Sequence, residues 1–329
     1  MDGSQRGGPP GSRLVQRAAG SPTDAPDRRW TGWPELAAPG RLGTVSEPAT
    51  DRPCVAAPAF DAATTAQVLD EHTAAVVLDP RWNVNGQVLN GGYLQAVAVR
   101  AASVLLADPG CPVAVSTSFA APAEAGPAVV AVQVLRRGGR LKSVSATLRQ
   151  SDTVVLSSLV TFGSLPDVAP DRGEHDRAPG SPPPMPDVPA PDACLRVPAE
   201  QLPGPPGLAA VLDMAFVPDR SRWLAGDTSA GPAIRCWMSF LDGRALDPLA
   251  LVAMADMAPP VSFAQGRFGW APTLHLQVGV FARPRGTHVL LDLRGEPYDG
   301  TFVAEDGLLW DADGTLVARS RQIAVPPRD

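Results

Sequence analysis

The sequence is short of the residues that build zinc sites, disulfide frameworks and nucleic-acid surfaces. Its four cysteines, Cys54, Cys111, Cys194 and Cys236, form no CxxC pair and have no close histidine partner, which argues against a zinc site and a disulfide scaffold. Lysine occurs once, at Lys142, and the net charge of -6 lacks the basic stripe of a nucleic-acid-binding protein. We expect ordinary thiols, no metal, no cofactor and no nucleic-acid partner.

Long apolar runs are also absent. No stretch approaches the roughly 20 residues that a membrane-spanning helix needs, and residues 1–30 lack the apolar segment of a secretory signal. There is no G-x-S-x-G elbow, no phosphate-binding G-x-x-x-x-G-K-[ST] loop and no dinucleotide-type glycine spacing. We expect a cytoplasmic protein without a membrane span, and the sequence leaves open whether it forms a homo-oligomer.

Two stretches lack apolar periodicity and are rich in proline or glycine. Residues 1–57 offer little apolar surface to offset the entropy of ordering, so we expect a disordered N-terminal tail. Residues 165–206 contain SPPPMPDVPAPD, whose proline density favours a semi-extended linker over a packed element. The chain therefore divides into two ordered blocks, 58–164 and 207–326.

The first block has the pattern of one buried helix among antiparallel strands. The segment GGYLQAVAVRAASVLLAD (91–108) is apolar on nearly every face, which is typical of a buried helix. Strand-like runs cover 72–79, 113–122, 128–138, 141–150 and 153–162. A sheet wrapped around one helix is the hotdog arrangement.

The second block repeats this order around the apolar segment DPLALVAMADM. Its strand-like runs cover 233–243, 273–284, 287–295, 302–314 and 315–325. The internal spacing agrees as well, because Pro122 and Thr153 are 31 residues apart, as are Pro284 and Thr315. This duplication predicts an α+β protein, a double hotdog with two antiparallel sheets, each wrapped around a central helix and packed sheet to sheet.

Four segments resemble a known family. They are NGGYLQAVAVRAA at the first helix, GRALDPLALVAMADMAPP at the second, and then APTLHLQVGVFARP and LLWDADGTLVARSRQ. Together they are similar, over nearly all of residues 58–326, to the thioesterase-like double-hotdog family, whose best-known members are the type II acyl-CoA thioesterases. The resemblance implies that a positioned water hydrolyses an acyl-CoA to free acid and CoA.

The resemblance also implies three catalytic residues. The family's aspartate, threonine and glutamine fall on Asp256 in MADMAPP, Thr273 in APTLH and Gln322 in RSRQIAV. The residues around Asp256 support this assignment independently. It lies at the end of an apolar helix, where the helix dipole disfavours a carboxylate and burial raises its pKa.

The start of the first helix is predicted to bind substrate through Asn90, Gly91, Gly92 and Tyr93. Backbone N–H groups at a helix N-terminus stabilise negative charge, so the Gly91–Gly92 pair is a candidate oxyanion donor. Close packing of the helix against the sheet explains the glycine pair equally well. All three asparagines of the chain fall within residues 83–90, which indicates a tight loop before this helix.

The repeat predicts one active site per chain. Alignment of the two blocks through the matched prolines places Cys111 at the position of Thr273 and Val160 at that of Gln322. The first block therefore lacks the polar set, and we expect the second block to carry the site with the first helix opposite.

Two other functions remain open. A hotdog hydratase or dehydratase needs a carboxylate and a histidine facing the acyl chain, and the available pair is Asp256 with His275. His275 lies two residues after Thr273 and is expected to share its strand face. The other alternative is a non-catalytic module that binds acyl thioesters, which would have no need of a desolvated carboxylate.

Overall fold

The computed structural model describes residues 58–84, 86, 88–166, 182–197, 206–296 and 301–327. The predicted tail, 1–57, and two parts of the predicted linker, 167–181 and 198–205, lie outside these ranges, so the predicted domain boundaries remain predictions. No helix in the described ranges is both long and apolar enough to cross a membrane.

The described chain contains two similar sets of strands, each with one buried helix. The first set is α1 (Ala59–Ala63), β1 (Ala66–Val68), β2 (Thr73–Leu78), α2 (Gly91–Val104), β3 (Cys111–Phe119), β4 (Gly126–Arg137), β5 (Lys142–Gln150) and β6 (Thr153–Gly163). The second set is β7 (Leu212–Phe216), β8 (Ala233–Phe240), α3 (Pro248–Met254), β9 (Thr273–Val280), β10 (Val289–Gly295), β11 (Val303–Asp311) and β12 (Leu316–Ala324). The predicted α+β double hotdog is confirmed.

The strands form one continuous sheet of twelve strands in the order β1-β2-β4-β5-β6-β3-β9-β12-β11-β10-β8-β7. The expectation that two separate sheets pack sheet to sheet was therefore wrong, because the sheets of the two units are joined into one. The halves meet edge to edge, because β3 and β9 pair antiparallel from Ala114↔Gly279 to Ser118↔His275. This pairing satisfies backbone groups that two separate sheets would leave open at their inner edges.

Both central helices begin with a side-chain cap. Asn90 Oδ1 accepts from the N–H of Tyr93 at 2.9 Å at the start of α2, and Asp247 Oδ1 accepts from the N–H of Ala250 at 2.7 Å at the start of α3. The observed α3 is shorter than predicted and ends at Met254. The Pro259–Pro260 pair that follows is incompatible with further helix.

The far face of the second half is covered by part of the predicted linker, residues 182–197. The indole N–H of Trp237 donates to the carbonyl of Pro189 at 3.0 Å, and that of Trp310 donates to the carbonyl of Pro183 at 3.2 Å. Packed segments on both sides explain why every residue of β8 is buried. These contacts were not expected from the proline-rich composition.

Candidate active site

Asp256 lies where the end of α3 meets the start of α2. Its Oδ2 accepts a hydrogen bond from the N–H of Gly92 at 2.8 Å. Its backbone carbonyl accepts from Nδ2 of Asn90 at 2.7 Å. The first helix is thus opposite the catalytic aspartate implied by the resemblance, and the residue that caps that helix also holds the backbone of Asp256.

The two glycines allow this close approach. A Cβ on Gly92 would lie 2.1 Å from the carbonyl oxygen of Ala253, and a Cβ on Gly91 would lie 2.7 Å from Oδ2 of Asp256. Neither distance is compatible with a side chain unless its neighbours move. The glycine pair therefore permits contact between α2 and the end of α3, where the sequence suggested closeness to the sheet.

Burial is the main influence on the Asp256 carboxyl. It raises the pKa of Asp256 to about 6, although the hydrogen bonds from Gly92 and Thr273 act in the opposite direction. The expected cost of a carboxylate at the C-terminal end of α3 is offset in part, because the N-terminus of α2 faces the same group. Asp256 as a whole residue is nonetheless half-buried rather than sealed.

Thr273, the first residue of β9, joins this carboxylate. Its hydroxyl donates to Oδ1 of Asp256 at 3.2 Å. Both carboxylate oxygens are therefore held, one by each half of the molecule. The expected proximity of these two residues is seen, while their catalytic role stays a prediction.

His275 lies on the opposite face of the sheet from Thr273. The pairing of β9 with β12 shifts by one residue beside Leu274, so that Ala324 pairs with Thr273 and Ile323 with His275. A bulge of this kind reverses the face of the side chains beyond it. The imidazole nitrogens of His275 instead lie 3.2 Å from the hydroxyls of two β3 residues, Ser116 and Ser118. The expectation of a shared face was wrong.

Gln322 is buried beside a second carboxylate, Glu305. The two residues pair directly across β11 and β12, and Nε2 of Gln322 donates to Oε2 of Glu305. Oε1 of Glu305 accepts from the backbone N–H of Val261 at 2.7 Å. Oε1 of Gln322 is buried and has no hydrogen-bond partner within the described part of the chain.

Glu305 was missed in the sequence. Glu305 lies next to Asp306 in the predicted strand 302–314, and two adjacent acids suggest a solvent-exposed position. In the structure, strand periodicity places Glu305 on the buried face with Val303 and Leu309. Burial and the negative charge of Asp256 raise the pKa of Glu305 to about 7, against the opposing hydrogen bonds from Val261 and Gln322. The site therefore contains two interacting carboxyl groups with raised pKa values.

Tyr93 does not bring its side chain to Asp256. It is fully buried, and its hydroxyl donates to the carbonyl of Ala63 at 2.9 Å and accepts from the N–H of Asp79 at 3.0 Å. Its ring stacks on Trp82 with 5.1 Å between centroids. Of the four residues predicted to bind substrate, Gly91 and Gly92 border the carboxylate of Asp256, and Asn90 binds the backbone of Asp256. Tyr93 is part of the hydrophobic core.

At the positions aligned with Thr273 and Gln322, the described part of the first half has no hydroxyl or amide side chain. Val160, at the position of Gln322, is buried in the core, and Cys111, at the position of Thr273, is also buried. No group of three or more potential metal ligands occurs within the described ranges.

Two family models match most of the chain. Residues 78–163 match an acyl-CoA thioesterase N-terminal domain, and residues 179–325 match an acyl-CoA thioesterase C-terminal domain. A protein of Mycobacterium tuberculosis with no characterised function is 28% identical over 264 residues, which cover 76% of this chain and 89% of that protein. The two matched models follow each other along the chain, one in each half.

Solved structures share the whole double-hotdog arrangement. A candidate thioesterase II from Thermobifida fusca YX is 31% identical, with a TM-score of 0.74 that covers 83% of this chain and 99% of that chain. A hot dog fold protein of unknown function from Alicyclobacillus acidocaldarius has a TM-score of 0.71 at 23% identity, over 83% of this chain and 100% of that chain. The second similarity bears on the fold alone.

Proposed function

Because the chain belongs to the acyl-CoA thioesterase family, we propose that it hydrolyses an acyl-CoA thioester to a free acid and CoA. The observation that carries the proposal is the carboxylate of Asp256, which is desolvated and held on both oxygens. General-base catalysis needs such a group, with a pKa close to the working pH.

Asp256 is the proposed proton acceptor for the attacking water. The hydroxyl of Thr273 orients the carboxylate, and Gln322 offers its unpartnered oxygen to the second hydrogen of the same water. The water oxygen bonds to the thioester carbon while its proton passes to Asp256. Collapse of the tetrahedral intermediate breaks the C–S bond, and the CoA thiolate takes the proton back.

The N–H of Gly91 is the proposed donor to the developing oxyanion. The first turn of a helix has N–H groups without intrahelical acceptors. In α2 the N–H of Gly92 is taken by Asp256 and that of Tyr93 by Asn90. Gly91 is half-buried at the edge of the carboxylate, where an N–H at a helix N-terminus stabilises negative charge.

The position of His275 counts against the hydratase or dehydratase, and a stability argument counts against the binding module. A hydratase or dehydratase would use Asp256 and His275 together, but the sheet separates the two side chains. A non-catalytic binder would keep a desolvated carboxylate at a cost in stability without using it. Hydrolysis by the second half, with α2 completing the site, fits both the geometry and the family.

The test is thiol release from a panel of acyl-CoAs, followed with a thiol-reactive dye. Asp256→Asn keeps the shape and removes the proton acceptor, so kcat should fall by at least about 100-fold. Thr273→Val and Gln322→Ala should each cost less, and their losses should not add, because all three residues act on one water.

His275→Ala is the matched control, since it changes a neighbouring β9 residue on the other face. The His275→Ala variant should keep wild-type thiol release, and a large loss would mean that His275 takes part in the reaction. Near-wild-type hydrolysis by Asp256→Asn would refute the assignment of the base.

A further inference from the structure

Glu305 is a buried carboxylate in the same site that the proposed hydrolysis leaves without a role. Glu305 is 1% exposed. The other residues on the same face of β11 are apolar, namely Val303, Gly307 and Leu309. A carboxyl group in such a row costs folding free energy unless its partners compensate for the lost water.

The partners of Glu305 are fixed on both sides. Its Oε1 accepts from the N–H of Val261, and its Oε2 accepts from Nε2 of Gln322. Its pairing neighbour on β10 is Gly295, where an added Cβ would lie 2.4 Å from Cγ2 of Val261. The Val261 loop therefore packs directly over the carboxylate and leaves Gln322 as its partner on the remaining side.

This contact determines which end of the Gln322 carboxamide faces the site. An ionised carboxylate only accepts hydrogen bonds, so the NH2 group must point to Glu305 and the oxygen must point away. On the basis of the proposed hydrolysis, we propose that Glu305 is a positioning residue that fixes the carboxamide of Gln322 with Oε1, and not Nε2, toward the attacking water.

The orientation matters because a nucleophilic water needs a free lone pair. Asp256 accepts one hydrogen of the water and Oε1 of Gln322 accepts the other, which leaves a lone pair for the thioester carbon. If the carboxamide were reversed, Nε2 would donate to that lone pair and oppose the attack. Oε1 of Gln322, buried without a partner in the described residues, is the acceptor that this arrangement requires.

The charge state of Glu305 should control this orientation. Asp256 is the charged group that acts on Glu305, whose strand neighbours Gly295 and Gln322 carry no charge. Once protonated, Glu305 can donate to the oxygen of Gln322 and allow the carboxamide to turn. Hydrolysis should therefore rise with pH in two steps, with apparent pKa values of about 6 and about 7 that belong to the pair.

Glu305→Gln tests the proposal with a nearly isosteric change. The new side chain has one acceptor oxygen for two donors, the N–H of Val261 and Nε2 of Gln322. When that oxygen stays on Val261, the new NH2 group faces Gln322 and reverses its carboxamide. We expect kcat to fall by about 10- to 100-fold with KM nearly unchanged, and the upper step of the pH profile to disappear.

A double-mutant cycle separates positioning from a general structural effect. If Glu305 acts through Gln322, adding Glu305→Gln to Gln322→Ala should lower kcat by no more than about twofold further. The matched control is Asp311→Asn, a buried carboxylate at the end of the same strand that accepts backbone N–H groups of Arg285, Asp313 and Thr315. This control should keep the wild-type kcat and both steps of the pH profile.

Three results would overturn the proposal for Glu305. They are a Glu305→Gln variant with wild-type kcat and two pH steps, equal losses in both backgrounds of the cycle, and loss of the upper step in Asp311→Asn. If Glu305→Gln does not fold, the pH profile of Gln322→Ala decides, since it should contain only one step and two would refute the role. The proposed function fails separately: it is refuted if the wild-type protein releases no thiol from any acyl-CoA of the panel, and full activity of Asp256→Asn would refute the assignment of the base.

Discussion

The desolvation that raises the pKa of Asp256 also lowers the stability of the folded protein when the carboxyl is ionised. The pKa of this carboxyl is about 6 in the folded chain, against 3.8 for a free aspartate side chain. Between these values the folded state holds a proton that the unfolded state has lost. The stabilising contribution of the neutral acid is therefore complete below pH 3.8 and is lost as the pH rises through about 6.

The Asp256→Asn variant should be more stable than the wild type, by an amount that grows with pH. The amide can accept from Gly92 and donate to Thr273, so both hydrogen bonds of the site can persist. We expect equal stability of variant and wild type near pH 4 and a more stable variant at pH 8, by about 1–3 kcal/mol. Urea unfolding at the two pH values measures the difference. Asp152→Asn, in an exposed turn, should show no such pH dependence, and an equal gain at both pH values would contradict the prediction.

At the level of single residues, the sequence predicted some of the residues of the candidate site and missed others. The resemblance supplied Asp256, Thr273 and Gln322, and the apolar helix around Asp256 independently predicted its raised pKa. Glu305 was missed because an acid beside Asp306 resembles a solvent-exposed pair until the register of β11 is known. His275 was placed on the wrong face because a one-residue bulge cannot be read from alternation alone.

The decisive contact between elements is the approach of α2 to the end of α3. At Gly92 the neighbouring atom is the backbone oxygen of Ala253, which cannot turn aside as a flexible side chain would. At Gly91 the neighbour is the carboxylate of Asp256, which can move only by leaving its hydrogen bonds. The two glycines should therefore respond differently to the same substitution.

Gly92→Ala should lower stability, and Gly91→Ala should chiefly lower activity. The Cβ at Gly92 forces the helices apart, and we expect a loss of at least about 1–3 kcal/mol in unfolding free energy. The Cβ at Gly91 displaces the base, and we expect about a 100-fold lower kcat. Urea unfolding and thiol release measure the two effects. Gly139→Ala, with open space around it, is the control, and equal losses of stability at both helix positions would be the contrary result.

Periodicity predicted both central helices and most strands, but not how the halves join. The short strands β1 and β7, with three and five residues, are too brief for alternation to be recognisable. The pairing of β3 with β9 was also not predictable, because a strand's pattern of buried residues does not indicate which neighbour forms its ladder. Only the three-dimensional arrangement shows one sheet in place of two.

On the scale of the whole molecule, three of the contacts between the halves involve the sheet, the site and a buried charge. The first is the β3–β9 ladder, and the second is the contact of α2 with Asp256. The third is Arg244, whose side chain is 8% exposed and donates to Asp61 of the first half and Asp247 of the second. Its guanidinium also lies 5.1 Å from the ring centroid of Phe60. We therefore expect the described parts of both halves to unfold together.

Buried cysteines in each half can report this cooperativity. Cys111 lies in β3 and Cys236 in β8, and neither forms a disulfide. With increasing urea, both thiols should become reactive over the same concentration range when labelled peptides are quantified by mass spectrometry. Exposure of Cys111 well before Cys236 would show that the halves unfold separately.

Asp61→Ala should shift both cysteine transitions by the same amount. It removes one of the two carboxylates that compensate the buried charge of Arg244, and we expect a loss of about 1–2 kcal/mol, since Asp247 remains and Asp61 is partly solvated. Asp70→Ala is the control, because Asp70 is exposed and bonds only to nearby His72 and Thr73. A midpoint that moves for Cys111 and stays for Cys236 would mean that Arg244 stabilises the first half alone. A common shift that is absent from the control would show that this buried arginine couples the half that supplies α2 to the half that carries Asp256.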